Sequence, residues 1–157
     1  MIEQISAFFT IEMIYLWLNM GVLPFWFILL FFPKSKISNF FVTSVFPILI
    51  LSSIYIYLIY KFFVSGYDFF EVFSLYLGIN ELRNLFNQSP FLIIFWIHFV
   101  SINLFCGSWI TRDSQKYIMP KFLIFFPLVF TYFIGPVGVS VYWVIKIFFA
   151  KKISLYE

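Results

Sequence analysis

Apolar residues run through this chain in four long stretches, with polar ones collected between them. Ile14–Phe32, Phe40–Val64, Pro90–Ile110 and Phe122–Ala150 are each long enough to cross a bilayer, whose hydrocarbon core of about 30 Å takes about 20 helical residues. In the first, Asn19 is the only strongly polar side chain, and Pro24 should kink the helix by removing a donor and crowding the preceding turn. The second closes at Lys61, which can snorkel to the interface. The fourth is unusually long and carries Pro127 and the sequence Gly135-Pro136-Val137-Gly138, where a tilt, kink or break is expected. Between the second and third runs, Val72, Leu75, Ile79, Leu82 and Phe86 recur at helical spacing on one face of Asp68–Gln88, while Asn80, Glu81, Arg83, Asn84 and Asn87 lie elsewhere around the wheel. That segment is too polar to span and suits a helix lying at the interface or capping the bundle, with Gly78 splitting it in two. The pattern predicts an all-α integral membrane protein. It is a single polytopic domain, residues 1–157, with about four transmembrane helices and an amphipathic connector between spans two and three.

Composition reinforces the choice of solvent. The chain is 63% hydrophobic and only 11% charged, too little charge to cover a soluble domain. Its net charge of +3 is small and its lysines flank apolar runs, which reads as anchoring to the lipid bilayer rather than nucleic-acid binding. One Cys excludes an internal disulfide and one His excludes a multi-histidine centre in a single chain, so neither a metal nor a cofactor is expected. Phe is abundant, but coding bias toward A·T would also enrich it, so its richness carries little functional weight. The N-terminus has Glu3 and Glu12 where a signal peptide would be basic, so the first run reads as a retained helix. The expected location is multi-pass in a bacterial cytoplasmic membrane, or a thylakoid in a phototroph, with a homo-oligomer or a membrane enzyme as possible partner. With four spans, Lys34, Lys36, Arg112, Lys116 and Lys121 share one side, and Lys61, Arg83, Lys146, Lys151 and Lys152 the other. The flanks of the first helix then place the Lys34 side in the cytoplasm and both termini outside.

The third run concentrates polar groups that hydrocarbon penalises. On a helical wheel His98, Ser101, Phe105, Ser108 and Arg112 fall on one side, and Asn103, Gly107 and Thr111 roughly opposite. Two such faces imply a central helix, with His98, Asn103 and Gly107 turned toward protein and Gly107 admitting a neighbouring backbone. His98 and Asp113 lie fifteen residues apart, about 22 Å along a continuous helix, so they cannot form one dyad within a chain. A partner for His98 would come from another helix (Asn19, Tyr132 and Tyr142 are open choices) or from the ligand. Each residue also has a plainer reading. His98 and Asn103 can bond between helices, Arg112 and Asp113 can anchor the interface, Cys106 can fill space, and Gly135-Pro136 can be a kink.

The stretch HFVSINLFCGSWITRD (His98–Asp113), followed by Met119-Pro120 and by FTYFIGPVGVSVYWVIK (Phe130–Lys146), resembles the signature of the abscisic-acid-deficient-four-like family, small membrane proteins of plastids and bacteria. LPFWFILLFFP (Leu23–Pro33) and LFNQSP (Leu85–Pro90) resemble its other landmarks, so the likeness covers nearly the whole chain. Carried over, the family positions are His98, Leu104, Phe105, Gly107, Asp113, Pro120, Gly135, Pro136 and Gly138. The plant member is needed to make neoxanthin from violaxanthin, an epoxide-to-allene isomerisation. The resemblance therefore implies a protein acting on, or binding, a carotenoid or similar polyene by isomerase-type modification. On that reading His98, Asn103 and Asp113 are the candidate catalytic residues, and Ser101, Gly107, Trp109, Arg112, Gly135 and Pro136 the candidate ligand-binding ones. One departure matters: Asn103 stands where the family pattern has Asp, and an amide cannot accept a proton as a carboxylate can. The alternative is a non-catalytic carotenoid-binding or assembly protein.

Overall fold

The computed structural model describes residues 9–150. They form α1 (Ile11–Phe31), a π-helical turn (Ser38–Val42), α2 (Phe46–Val64), a 3-10 helix (Phe69–Tyr76), α3 (Ile79–Phe86), α4 (Ser89–Lys116), α5 (Lys121–Phe133) and α6 (Gly135–Ala150). Ile11–Phe31, Ser38–Val64 and Ser89–Lys116 are long and apolar enough to cross a membrane, whereas α5 and α6 are shorter apolar helices. Large apolar side chains such as Trp17, Phe40, Phe63, Phe122 and Phe148 lie exposed, a surface suited to lipid rather than water.

Each departure from the expected runs has a local cause. α1 passes through Pro24 without a break. The second run is interrupted at Thr43–Val45, where the Ser44 hydroxyl accepts from Phe46 N at 3.2 Å and caps the start of α2. The connector divides at Gly78, as its sequence predicts, into the 3-10 helix and α3. Asp68 accepts from Phe70 N at 2.8 Å and starts the 3-10 helix. The fourth run is not one helix: α5 and α6 meet at Ile134, whose φ of −142° and ψ of 83° leave the helical region.

Packing divides the chain into two compact units, one of Met1–Gly21 with Leu49–Val100 and one of Val22–Ile48 with Ser101–Glu157. The first unit is cored by Leu18, Leu58, Leu85 and Ile97. Its polar contacts link segments that are distant in sequence. Lys61 donates to Phe9 O at 2.6 Å, Tyr67 donates to Gln88 Oε1 at 2.7 Å, and Gln88 Nε2 donates to Glu71 Oε1 at 2.9 Å. Burial, then the carboxylates of Glu71 and Asp68, push the Tyr67 phenol above its ordinary value, which keeps it a donor.

In the second unit, α4 ends on Ile118, whose φ of 52° is left-handed, a conformation that costs a β-branched residue more than it would glycine. Met119 N donates to Ser114 O across this turn. α5 then runs back along α4 until Tyr132 lies beside Asn103. α6 returns in the direction of α4, since Gly135 abuts Asn103 and Tyr142 reaches Asp113. The two short helices are thus an antiparallel hairpin that follows α4 for the ten residues from Asp113 back to Asn103, about 15 Å, and turns round near the middle of that helix. Gly138 makes the close crossing possible, because a Cβ there would collide with the backbone of Thr131.

Candidate functional site

Three polar side chains of α4 in the second unit, Asn103, Ser108 and Gln115, end on carbonyls left open elsewhere in the chain. Pro136 has no N–H, so it cannot close a helical bond to Tyr132 O; Asn103 Nδ2 donates there instead, at 3.4 Å. Phe46 N is taken by Ser44, and Ser108 donates to Val42 O at 3.1 Å. Gln115 Nε2 donates to Pro33 O, just past the end of α1, at 2.9 Å. In an apolar surround an unpaired carbonyl costs several kcal/mol, so these side chains are what allow the chain to break where it does.

Asp113 is different, because its partners are charged or acidic side chains. It is 6% exposed. Its Oδ2 accepts from Tyr142 Oη at 2.6 Å and from Lys146 Nζ at 2.7 Å. Its Oδ1 lies 3.9 Å from Lys116 Nζ, beyond hydrogen-bond distance. Lys146, with 3% of its side chain exposed, is enclosed by rings, its Nζ 4.8 Å from the Trp143 centroid, 5.0 Å from Tyr117 and 5.9 Å from Trp109. Trp109 stacks on Trp143 and meets Tyr142 edge-on. Burying an ammonium and a carboxylate costs several kcal/mol for each ion, offset only when the pair is tight and its other bonding positions are filled. The phenol on Oδ2 and the aromatic walls around Nζ supply that.

Asp113 also lines a cavity of about 450 Å³ with Arg112, Lys116, Ser108, Trp109, Phe105, Ile48 and the Thr43–Val45 break. Its lining joins the apolar Val45, Ile48, Phe105 and Trp109 to the buried Asp113, with the exposed Arg112 and Lys116 at its mouth, the form of a site for the polar end of a hydrophobic molecule.

Of the residues singled out in the sequence, this cavity gathers Trp109, Arg112 and Asp113. Arg112 and Asp113, adjacent in sequence, do not pair: Arg112 is exposed and Asp113 takes Lys146. Asn103 is buried at the tip of the hairpin, with Gly135 packed against it and Pro136 exposed beyond. Gly107 admits a side chain and not a backbone, since a Cβ there would stand 2.8 Å from the Trp26 ring. Ser101 is half-buried. His98 is exposed, contrary to its expected inward orientation. The buried stripe of α4 passes through Ile97, Leu104 and Thr111, and His98 sits on the opposite side with Ile102 and Phe105. Lys146 was expected at the end of the protein opposite Arg112 and Lys116; the fold-back of α6 brings it to them. Lys151 and Lys152, placed with it, lie outside the described residues. Lys146 escaped the sequence reading as a site, and Tyr142 entered it only as one open partner for His98, although an isolated lysine in the apolar run VYWVIKIFF is itself a functional signal.

The chain belongs to the ABA DEFICIENT 4-like family, whose model matches residues 13–142. No curated protein matches the chain. No solved structure matches it either.

Proposed function

We propose that this member of the ABA DEFICIENT 4-like family takes a long apolar molecule bearing an oxygenated end ring, a carotenoid or similar polyene, and isomerises it at Asp113. The observation that carries the reading is the Asp113 carboxylate in the cavity wall, with Oδ2 fixed by Tyr142 and Lys146 and Oδ1 left without a close partner. The family membership supports the substrate class, and the aromatic and aliphatic lining of the cavity suits a polyene end. Opening an epoxide to an allenic alcohol needs no outside reactant. A base removes a proton from carbon, the C–H electrons form the new double bond, the C–O bond breaks, and the oxygen takes a proton. One fixed carboxylate can do both transfers, accepting the carbon-bound proton on Oδ1 and returning it to the opened oxygen. Lys146 pairs with the carboxylate, and Tyr142 sets its direction. Asn103, bonded to the hairpin tip, serves architecture in this scheme, and His98 takes no part.

The test is expression in a host that accumulates epoxy-carotenoids and in one that accumulates β-carotene, comparing the wild type with Asp113→Asn, Tyr142→Phe and His98→Ala. The expected result is a new pigment that disappears in Asp113→Asn, falls at least tenfold in Tyr142→Phe and persists in His98→Ala. Pigment that co-purifies unchanged would replace catalysis by binding. A folded protein with neither product nor bound pigment in either host would remove polyenes altogether.

A further inference from the structure

The mouth of the same cavity holds more positive charge than a neutral ligand requires. Asp113 is already matched by Lys146 at 2.7 Å, so Lys116, at 3.9 Å from Oδ1, is in excess. Arg112, also in the cavity wall, has no carboxylate partner among the described residues. The hydroxyls of Thr43 and Ser108 are spent on Asn39 O and Val42 O. Ser44 accepts from Phe46 N, so its own proton remains to be donated. Two cations and one donor thus converge on a volume of about 450 Å³ whose other walls are Val45, Ile48, Phe105 and Trp109.

We propose that this mouth is a binding site for the phosphate of an anionic membrane lipid. Arg112 grips the phosphate through its planar fork, Lys116 and Ser44 complete the contacts, and the first carbons of the acyl chain lie against Phe105 and Ile48. A phosphate oxygen pair matches a guanidinium bidentately, and the apolar walls select an amphiphile over a free ion. Charge elsewhere agrees. Gln115 bonds Pro33 O, so Lys34 and Lys36 follow at this same end of α4, and Lys121 begins α5 beyond it. Basic residues concentrate where anionic headgroups lie. The site shares its cavity with the isomerisation reading but rests on Arg112, Lys116 and Ser44, whereas that reading rests on Asp113 and Tyr142.

Purified protein in neutral detergent is titrated with phosphatidylglycerol, with phosphatidylcholine and with inorganic phosphate, following thermal stability and lipid retained after gel filtration. Phosphatidylglycerol is expected to raise the melting temperature and to be retained, the other two not. Arg112→Gln combined with Lys116→Gln should weaken this at least tenfold. Arg112→Lys should fall in between, and Lys34→Gln with Lys36→Gln should leave it intact. Equal response to phosphatidylcholine, an inorganic phosphate effect that matches the lipid's, or retention of the lipid by the Arg112/Lys116 double variant would each overturn the proposal. Tyr142→Phe, which changes no residue lining the cavity, separates the two readings: it should cut pigment conversion at least tenfold and keep lipid retention.

Discussion

At the scale of single residues, the charges of Asp113 and Lys146 compensate each other in a buried pair. Removing one charge of a buried pair leaves the other uncompensated, at a cost of about 3–5 kcal/mol, while replacing both by neutral groups of similar size is often tolerated. Asp113→Asn and Lys146→Met should therefore each lower the melting temperature sharply. The double variant should be more stable than the sum of the two losses, and a double-mutant cycle by thermal unfolding in detergent measures the coupling. Asn103 makes a second residue-scale test. Its amide donates to Tyr132 O, and an ionised Asp has no proton to give. Asn103→Asp should lose about 1–3 kcal/mol at neutral pH and recover part of it as pH falls and the carboxyl gains a proton. Stability scans across pH decide it. His98 shows how single residues mislead. It drew attention because it is the only imidazole, yet its wheel position lies opposite the stripe that the fold buries.

Elements were legible in proportion to how much their pattern depends on local chemistry. The spans at Ile11–Phe31 and Ser89–Lys116 follow from hydropathy and length, and the divided connector follows from Gly78. The hairpin was hidden, because an apolar run of 29 residues reads the same whether it crosses a bilayer or folds back. Only Gly135-Pro136 hinted at the reversal. Its direction is set by contacts with α4 that no window of sequence contains. The break at Thr43–Val45 was hidden likewise, and with it one wall of the cavity. The hairpin carries its own prediction. Gly138→Ala would drive a methyl into the Thr131 backbone, and relief requires α5 and α6 to separate, so a loss of about 1–3 kcal/mol is expected. Gly21→Ala, with nothing within 4 Å of the new atom, should be neutral or slightly stabilising. Comparing the two melting temperatures checks the crossing.

For the molecule as a whole, the hairpin changes how many of the described helices are long and apolar enough to cross a membrane, from four to three. If each of those three helices crosses the bilayer and the hairpin folds back, the start of α1 and the end of α6 are expected in opposite compartments, where four crossings would put them together. Within the second unit, Arg112, Lys116 and Lys146 gather at one end of α4, with Lys34 and Lys36 following the Pro33 that Gln115 bonds. On that topology the positive-inside tendency predicts this basic end in the cytoplasm. Reporter fusions before Ile11 and after Ala150 should read out in opposite compartments, the second matching a fusion at Ser35. The same compartment for both would restore the fourth crossing.

The shortness of α5 and α6 has a consequence for how the protein is made. At 13 and 16 residues, neither helix alone reaches the length of a spanning segment, so the hairpin depends on its packing against α4 to satisfy the polar groups of both. Without the hairpin, Asp113 would lack Tyr142 and Lys146, and Asn103 would lack Tyr132 O. Packing α5 and α6 on α4 is thus the step that buries a positive and a negative charge together, and a chain that fails to make it is expected to expose costly polar surface to the membrane.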